Sequence, residues 1–219
     1  MARIARLVAE NIPHHILQRG NRRQNVFFSE KDKEAYLNIL EEQCQIYDVE
    51  VWAYCLMDNH VHLIVTPHSE NDLAKAIGET HKRYTRMINF REGWRGYLWE
   101  GRFKSFILDE RYVYAAVRYV ERNPVRACLA VKAEDYPWSS APAHVSGKDN
   151  GLLTRFYLLD EIKDWSSYLT ASDNEEDLKL FRRHGQTGRP LGSSDFMNEL
   201  ARKLGVDLTP KLRGRKPTK

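Results

Sequence analysis

No apolar run in this sequence approaches the roughly 18 residues that a membrane-spanning helix needs. The opening "MARIARLVAE" also lacks the hydrophobic region of a secretory signal, so the expectation is a soluble, cytoplasmic protein. Cysteine is scarce. Cys44, Cys55 and Cys128 show no C-x-x-C spacing, which excludes a disulfide framework or zinc knot and fits small buried side chains in a reducing compartment. There is no internal repeat. A strong net charge is missing too: 34 Lys and Arg stand against 30 Asp and Glu, and +4 is a weak argument for a polyanionic partner.

Charge distribution says more than its sum. The first 23 residues hold Arg3, Arg6, Arg19, Arg22 and Arg23 against one acid, Glu10, and the closing "PKLRGRKPTK" is basic throughout. Such clusters suit phosphate contacts that release counterions, although solvated termini have the same composition. A hydrophobic content of 42% suffices for a core, and 219 residues suit one medium domain with an appendage or two small domains.

From Pro13 to Phe28 the pattern reads as a strand, an Arg/Asn/Gly turn and a short return. Ser29 caps a helix to Tyr47 with Leu37, Leu40, Cys44 and Tyr47 on one face. Glu50–Met57 and His60–Thr66 alternate as antiparallel strands about an Asp58-Asn59 turn. A second helix opens at Asn71 or Asp72 and runs to about Asn89, with Leu73, Ile77, Tyr84 and Ile88 inward. "GRFKSFILD" makes a fourth strand, and Asp109 caps a third helix that Pro124 stops near Asn123. The order β-α-β-β-α-β predicts an α+β, ferredoxin-like antiparallel sheet with helices on one face.

After Trp138 the Ser/Pro/Gly-rich "SSAPAHVSGKDNG" reads as a linker or long loop. The expected division is a domain over 1–140 and a helical C-terminal region over 141–219. Its last helix starts at Ser194 or Asp195, carries Phe196, Leu200 and Leu204, and stops at Gly205. Two helices about a short turn suit either a helix-turn-helix-like unit or a cap on the first domain.

The chemistry centres on "NHVHLIV". On a strand, His60 and His62 project from one face, where both imidazoles can reach one divalent cation. An H-x-H pair also suits structural histidines. In "RYVERNPVRA", Tyr119 and Asn123 lie four residues apart on one helical face, so Asn123 can offer a carbonyl oxygen as third ligand beside a phenol. Three neutral ligands leave the cation its charge, which suits a Lewis acid on a phosphodiester and favours Mg²⁺ or Mn²⁺. Tyr119 equally suits a core position, and Glu121 reads as a solvated charge facing away from it.

For nucleic acid the candidates are Arg19, Arg22 and Arg23; His81, Lys82, Arg83 and Arg86 as a basic stripe on the second helix; and Lys104. Trp94, Tyr97, Trp99 and Phe103 interleave with Arg95 and Arg102 as a base-stacking rim. Arg213 and Arg215 in "RGRKP" read as a phosphate-binding tail. His14, His15, His68, His144 and His184 read as surface or hydrogen-bonded histidines.

"NHVHLIV", "WEGRFKS" and "RYVERNPVRA", in this order, resemble the HUH single-strand endonucleases. More narrowly they resemble the IS200-like single-tyrosine transposases associated with repetitive extragenic palindromes (REP). "YPWSS" and "GRPLGSSDF" add to a likeness that covers nearly the whole chain. It implies the HUH fold, His60, His62 and Asn123 as metal ligands, and Tyr119 as nucleophile on hairpin-associated, palindromic single-stranded DNA. It also implies a 5′-phosphotyrosine intermediate that can be rejoined, by a monomer or homodimer at the nucleoid. A phenol, ordinarily ionising near pH 10, needs help to attack at neutral pH. A non-catalytic nucleic-acid-binding protein on the same fold and an unrelated H-x-H metallohydrolase are the alternatives.

Overall fold

The computed structural model describes residues 6–209; Arg3, Arg213 and Arg215 lie outside them. Four strands, β1 (His14–Arg19), β2 (Val49–Met57), β3 (His60–Pro67) and β4 (Lys104–Ile107), form one antiparallel sheet in the order β2-β3-β1-β4. Helix α1 (Glu30–Ile46) links β1 to β2 and α2 (Asp72–Glu92) links β3 to β4, the split pattern expected. A capping box opens α1: Asp32 takes the Ser29 backbone N–H while the Ser29 side chain takes that of Asp32. Gly93, at φ 66°, closes α2.

Strand alternation divides the core into two layers. Ile16, Val61, Leu63 and Val65 face α1 and α2, where they meet Tyr36, Leu40, Leu73, Ile77, Tyr84 and Ile88. The other face does not lie bare. It is covered by α3 (Glu110–Glu121) and by helices that follow it, so helices lie on both faces of the sheet and not on one alone. The sequence pattern that showed two sheet-covering helices could not show that the C-terminal region returns over the second face.

Three local expectations change. No return strand follows β1; residues Asn21–Arg23 form a 3-10 turn, with Val26 and Phe27 buried in a loop beyond it. Gly20 is required there, because a Cβ would stand 2.2 Å from the Gln24 carbonyl oxygen. At Pro124 the chain does not leave helical geometry: Arg122 steps α3 into a single turn, α4 (Asn123–Arg126). Of "SSAPAHVSGKDNG", only the part from Gly147 onward is an exposed loop. Ser139 and Ser140 are buried, and α5 (Ala141–Ser146) starts directly after them.

Beyond α5 come two short helices, α6 (Leu158–Glu161) and α7 (Trp165–Thr170), then α8 (Glu175–Thr187) and α9 (Ser194–Leu204). Between α8 and α9, Leu191 donates to the Ile107 carbonyl and accepts from Asp109 N–H, both at 2.8 Å, which covers the edge left by β4.

Glu121 ties this C-terminal region to α3. It is not a solvated charge: its exposure is 0%. Its carboxylate accepts from Ser140 Oγ (2.5 Å), His144 Nδ1 (2.6 Å) and Trp165 Nε1 (2.8 Å), the first two from α5 and its cap and the third from the later helix that Trp165 opens. Glu121→Ala strands those buried donors, each costing about 1–3 kcal/mol. The expected result is a loss of about 3 kcal/mol or more in urea denaturation. A loss below about 0.5 kcal/mol, the scale of a surface charge, would show the network to be unimportant.

Candidate active site

The register of β1 against β3 sets the geometry. Leu17 stands opposite His62 and Arg19 opposite His60, while Lys104 of β4 stands opposite Leu17. Partners across an antiparallel ladder share a face, so both histidines, Arg19 and Lys104 project from the same side of the sheet. Over that side, α3 brings Tyr119 to within 5.7 Å of His62, ring centre to ring centre. His60, His62, Tyr119 and Asn123 thus line one cleft of about 840 Å³. Arg19, Arg22, Arg23, Glu100 and Lys104 line it too, together with Phe181, Arg182 and Gln186 of α8.

Each imidazole is fixed from behind. His60 Nδ1 donates to Asn59 Oδ1 at 2.5 Å, which keeps its proton on Nδ1 and leaves Nε2 as a lone-pair donor. His62 Nδ1 pairs with His15 Nε2 at 2.8 Å. Burial holds the His60 pKa down to about 4, and burial with nearby His15, His60 and Arg126 keeps that of His62 well below the usual range. Both rings are neutral at pH 7, the state a metal ligand needs.

Asn123 and Tyr119 are held together by Arg126. Its guanidinium donates to the Tyr119 carbonyl (2.5 Å) and to Asn123 Oδ1 (3.0 Å), and lies 4.4 Å from the centre of the Tyr119 ring. Asp173 in turn pairs with Arg126 (3.4 Å) and Arg122 (3.2 Å). The Asn123 amide nitrogen is buried without a hydrogen-bond partner, and its oxygen keeps a second lone pair beyond the Arg126 contact. Among the described residues no group of three or more His, Cys, Asp or Glu is placed to hold an ion. The candidate donors are two imidazole nitrogens and one amide oxygen, a set whose chemistry would fit a divalent cation with open coordination positions.

Other candidates fall elsewhere. His81 is buried, hydrogen-bonded to Tyr36 Oη at 3.0 Å and packed 4.7 Å from Trp99, so it is no part of a basic stripe. Trp99 and Phe103 are buried in the α1–α2 core layer and cannot stack on bases. Lys82 pairs with Glu79 and Arg83 with Glu42, on a helix that packs against the sheet face opposite the histidine pair. Arg86, Arg95 and Arg102 are exposed without lining the cleft, as are Trp94 and Tyr97.

Sequence reasoning missed three contributors. His15 abuts both His62 and Tyr119, Phe181 packs 5.1 Å from Tyr119, and Arg126 clamps Tyr119 to Asn123. Only Arg126 carried a local signal, three residues beyond Asn123 on the same helical face.

Comparison with known proteins fits this geometry. A protein from Haemophilus influenzae (strain ATCC 51907 / DSM 11121 / KW20 / Rd) named "Putative REP-associated tyrosine transposase" is 25% identical over 111 residues, 46% of this chain and 63% of its own length. A REP-associated tyrosine transposase solved bound to a REP hairpin superposes with a TM-score of 0.58 at 18% identity, over 71% of this chain and 93% of that one. The fold is thus the HUH fold. The family described as "Transposase IS200 like" matches residues 8–123, over half of the chain. This chain belongs to the IS200-like transposase family.

Proposed function

We propose that this protein is a tyrosine-nucleophile strand transferase acting on hairpin-associated single-stranded DNA with a divalent metal, Mg²⁺ or Mn²⁺. The observation that carries this reading is the convergence of His60, His62, Asn123 and Tyr119 on one cation-lined cleft. The likeness to a transposase solved on a REP hairpin supports the choice of DNA.

Arg19, Arg22, Arg23 and Lys104 draw the strand into the cleft by phosphate contacts. Arg22 and Arg23 hold positive φ angles of 54° and 62°, a costly conformation for non-glycine residues that suits side chains aimed at a ligand. His60 and His62 supply nitrogens and Asn123 an amide oxygen to the cation, which when bound stabilises charge building up on the scissile phosphate. The Tyr119 oxygen attacks phosphorus, and the bond to the 3′ oxygen breaks. The phenol gives up its proton and the departing 3′ oxygen gains one, leaving a 5′-phosphotyrosine and a free 3′-hydroxyl. Arg126 and Phe181 keep the ring oriented through both steps. Attack by another 3′-hydroxyl reverses the reaction, with the phenolate as leaving group.

Tyr119→Phe removes the nucleophilic oxygen and preserves ring packing against His15, His62 and Phe181. With labelled hairpin DNA and Mn²⁺, the wild type should give a denaturation-resistant protein–DNA adduct. The variant should give none while binding DNA within about twofold. An adduct that survives in the variant rules Tyr119 out as nucleophile, and binding without any wild-type adduct favours a non-catalytic protein.

Metal binding carries its own signature. Because burial holds the folded pKa of His60 near 4 and that of His62 well below the usual imidazole range, protons do not compete for the site at neutral pH. Calorimetric Mn²⁺ affinity should be flat from pH 8 to about pH 5 and fall below that. His60→Ala should weaken it at least ~10-fold, since changes even to groups supporting the ligands cost about 10–100-fold. A decline that begins at pH 6.5, as for exposed imidazoles, would contradict the buried-ligand assignment.

A further inference from the structure

Helix α8 lies outside the residues that match the transposase family, which end at 123. It is nevertheless built into the cleft at two points. Just before its first turn, Asp173 pairs with Arg122 and Arg126, the second of which clamps Tyr119 and Asn123. In its middle, Phe181 packs against the Tyr119 ring at 5.1 Å and the His15 ring at 6.3 Å. These contacts fix α8 in register with the nucleophile.

One turn apart on this helix, Arg182 and Gln186 are exposed and line the same cleft as His60, His62 and Tyr119. Among the described residues, Arg182 makes no ion pair and the Gln186 side chain no hydrogen bond. Lys82 and Arg83 differ, since each is neutralised by a glutamate. A guanidinium and an amide, free of partners and held in register with a tyrosine nucleophile, make a matched pair for a phosphate and its nucleotide.

We propose that α8 is a strand-binding wall of the active site. Arg182 takes a backbone phosphate beside the one that Tyr119 attacks, and Gln186 hydrogen-bonds the adjoining nucleotide. This inference rests on the reading of the cleft as a site for single-stranded DNA. It extends the site into a part of the chain that the family match does not reach. It also gives the C-terminal region a direct role in substrate binding.

The test is a fluorescence-anisotropy titration of full-length Tyr119→Phe protein with labelled hairpin DNA carrying a single-stranded flank, across a range of salt concentrations. Arg182→Gln should weaken binding about five- to tenfold and flatten the plot of log K against log salt by about 0.7, the value of one phosphate contact on a single strand. Arg182→Lys, which keeps the charge, should retain the slope. Gln186→Ala should weaken binding without changing it. Lys82→Gln with Arg83→Gln should change neither. Unchanged affinity and slope in Arg182→Gln would overturn the proposal and leave α8 a purely structural support for Tyr119. Failure of the wild type to form a Tyr119-dependent adduct is a separate result: it removes the catalytic reading, while the titration still decides whether α8 touches the strand.

Discussion

A carboxylate without access to solvent holds the proposed nucleophile's helix in place. Burying a charge costs several kcal/mol unless hydrogen bonds replace its water, and Glu121 receives three of them. Its donors lie 19, 23 and 44 residues further along the chain. The end of α3 is therefore held by the C-terminal region as well as by the sheet it packs on. Tyr119 stands two residues before Glu121, turned to a different side of the helix. One side of that turn is locked into the core, and the other is presented to the cleft.

The cleft face is organised by a second charged group, Arg126. It sits on the one-turn extension that Pro124 permits, close enough to reach back to the Tyr119 carbonyl and ring. Burial lowers its pKa, and Asp173 opposes that with a compensating charge. Such an arrangement fixes the separation of Tyr119 and Asn123 more tightly than helical geometry alone. The two imidazoles are fixed by the sheet, one by Asn59 and the other by His15. The two imidazoles thus sit on the sheet, while Tyr119 and Asn123 sit on the helices packed over it, and the two sets face each other across the cleft.

That division explains what was legible in the sequence. Alternation over His60–Thr66 showed that the two histidines share a face, and a spacing of four showed the same for Tyr119 and Asn123. The inward residues Leu73, Ile77, Tyr84 and Ile88 were readable for the same reason, and all four are fully buried. Glu121 was read as solvated because its partners at 140, 144 and 165 leave no mark within its own helix. His15 and Phe181 were missed likewise: their contacts to His62 and Tyr119 depend on strand register and on helix return, neither of which has a local period. Trp99 and His81 erred in the opposite direction. A Trp- and Arg-rich loop suggests a stacking surface, yet Trp99 and His81 close the core layer beneath α1 and α2.

Charge obeys the same logic of partners. The chain carries a formal net charge of +4, but the cations are not equivalent. On α2, Lys82 and Arg83 face glutamates, and Arg91 is paired with the buried Asp32. Around the cleft, Arg19, Arg22, Arg23, Lys104 and Arg182 share the lining with a single acid, Glu100. Field lines concentrate where cations gather over a low-dielectric floor, so this cleft is a stronger attractor for a phosphate backbone than the sum of charges indicates. The same positive field opposes a divalent cation approaching two neutral histidines. DNA phosphates entering the cleft would relieve that repulsion, so metal and strand should each strengthen the binding of the other.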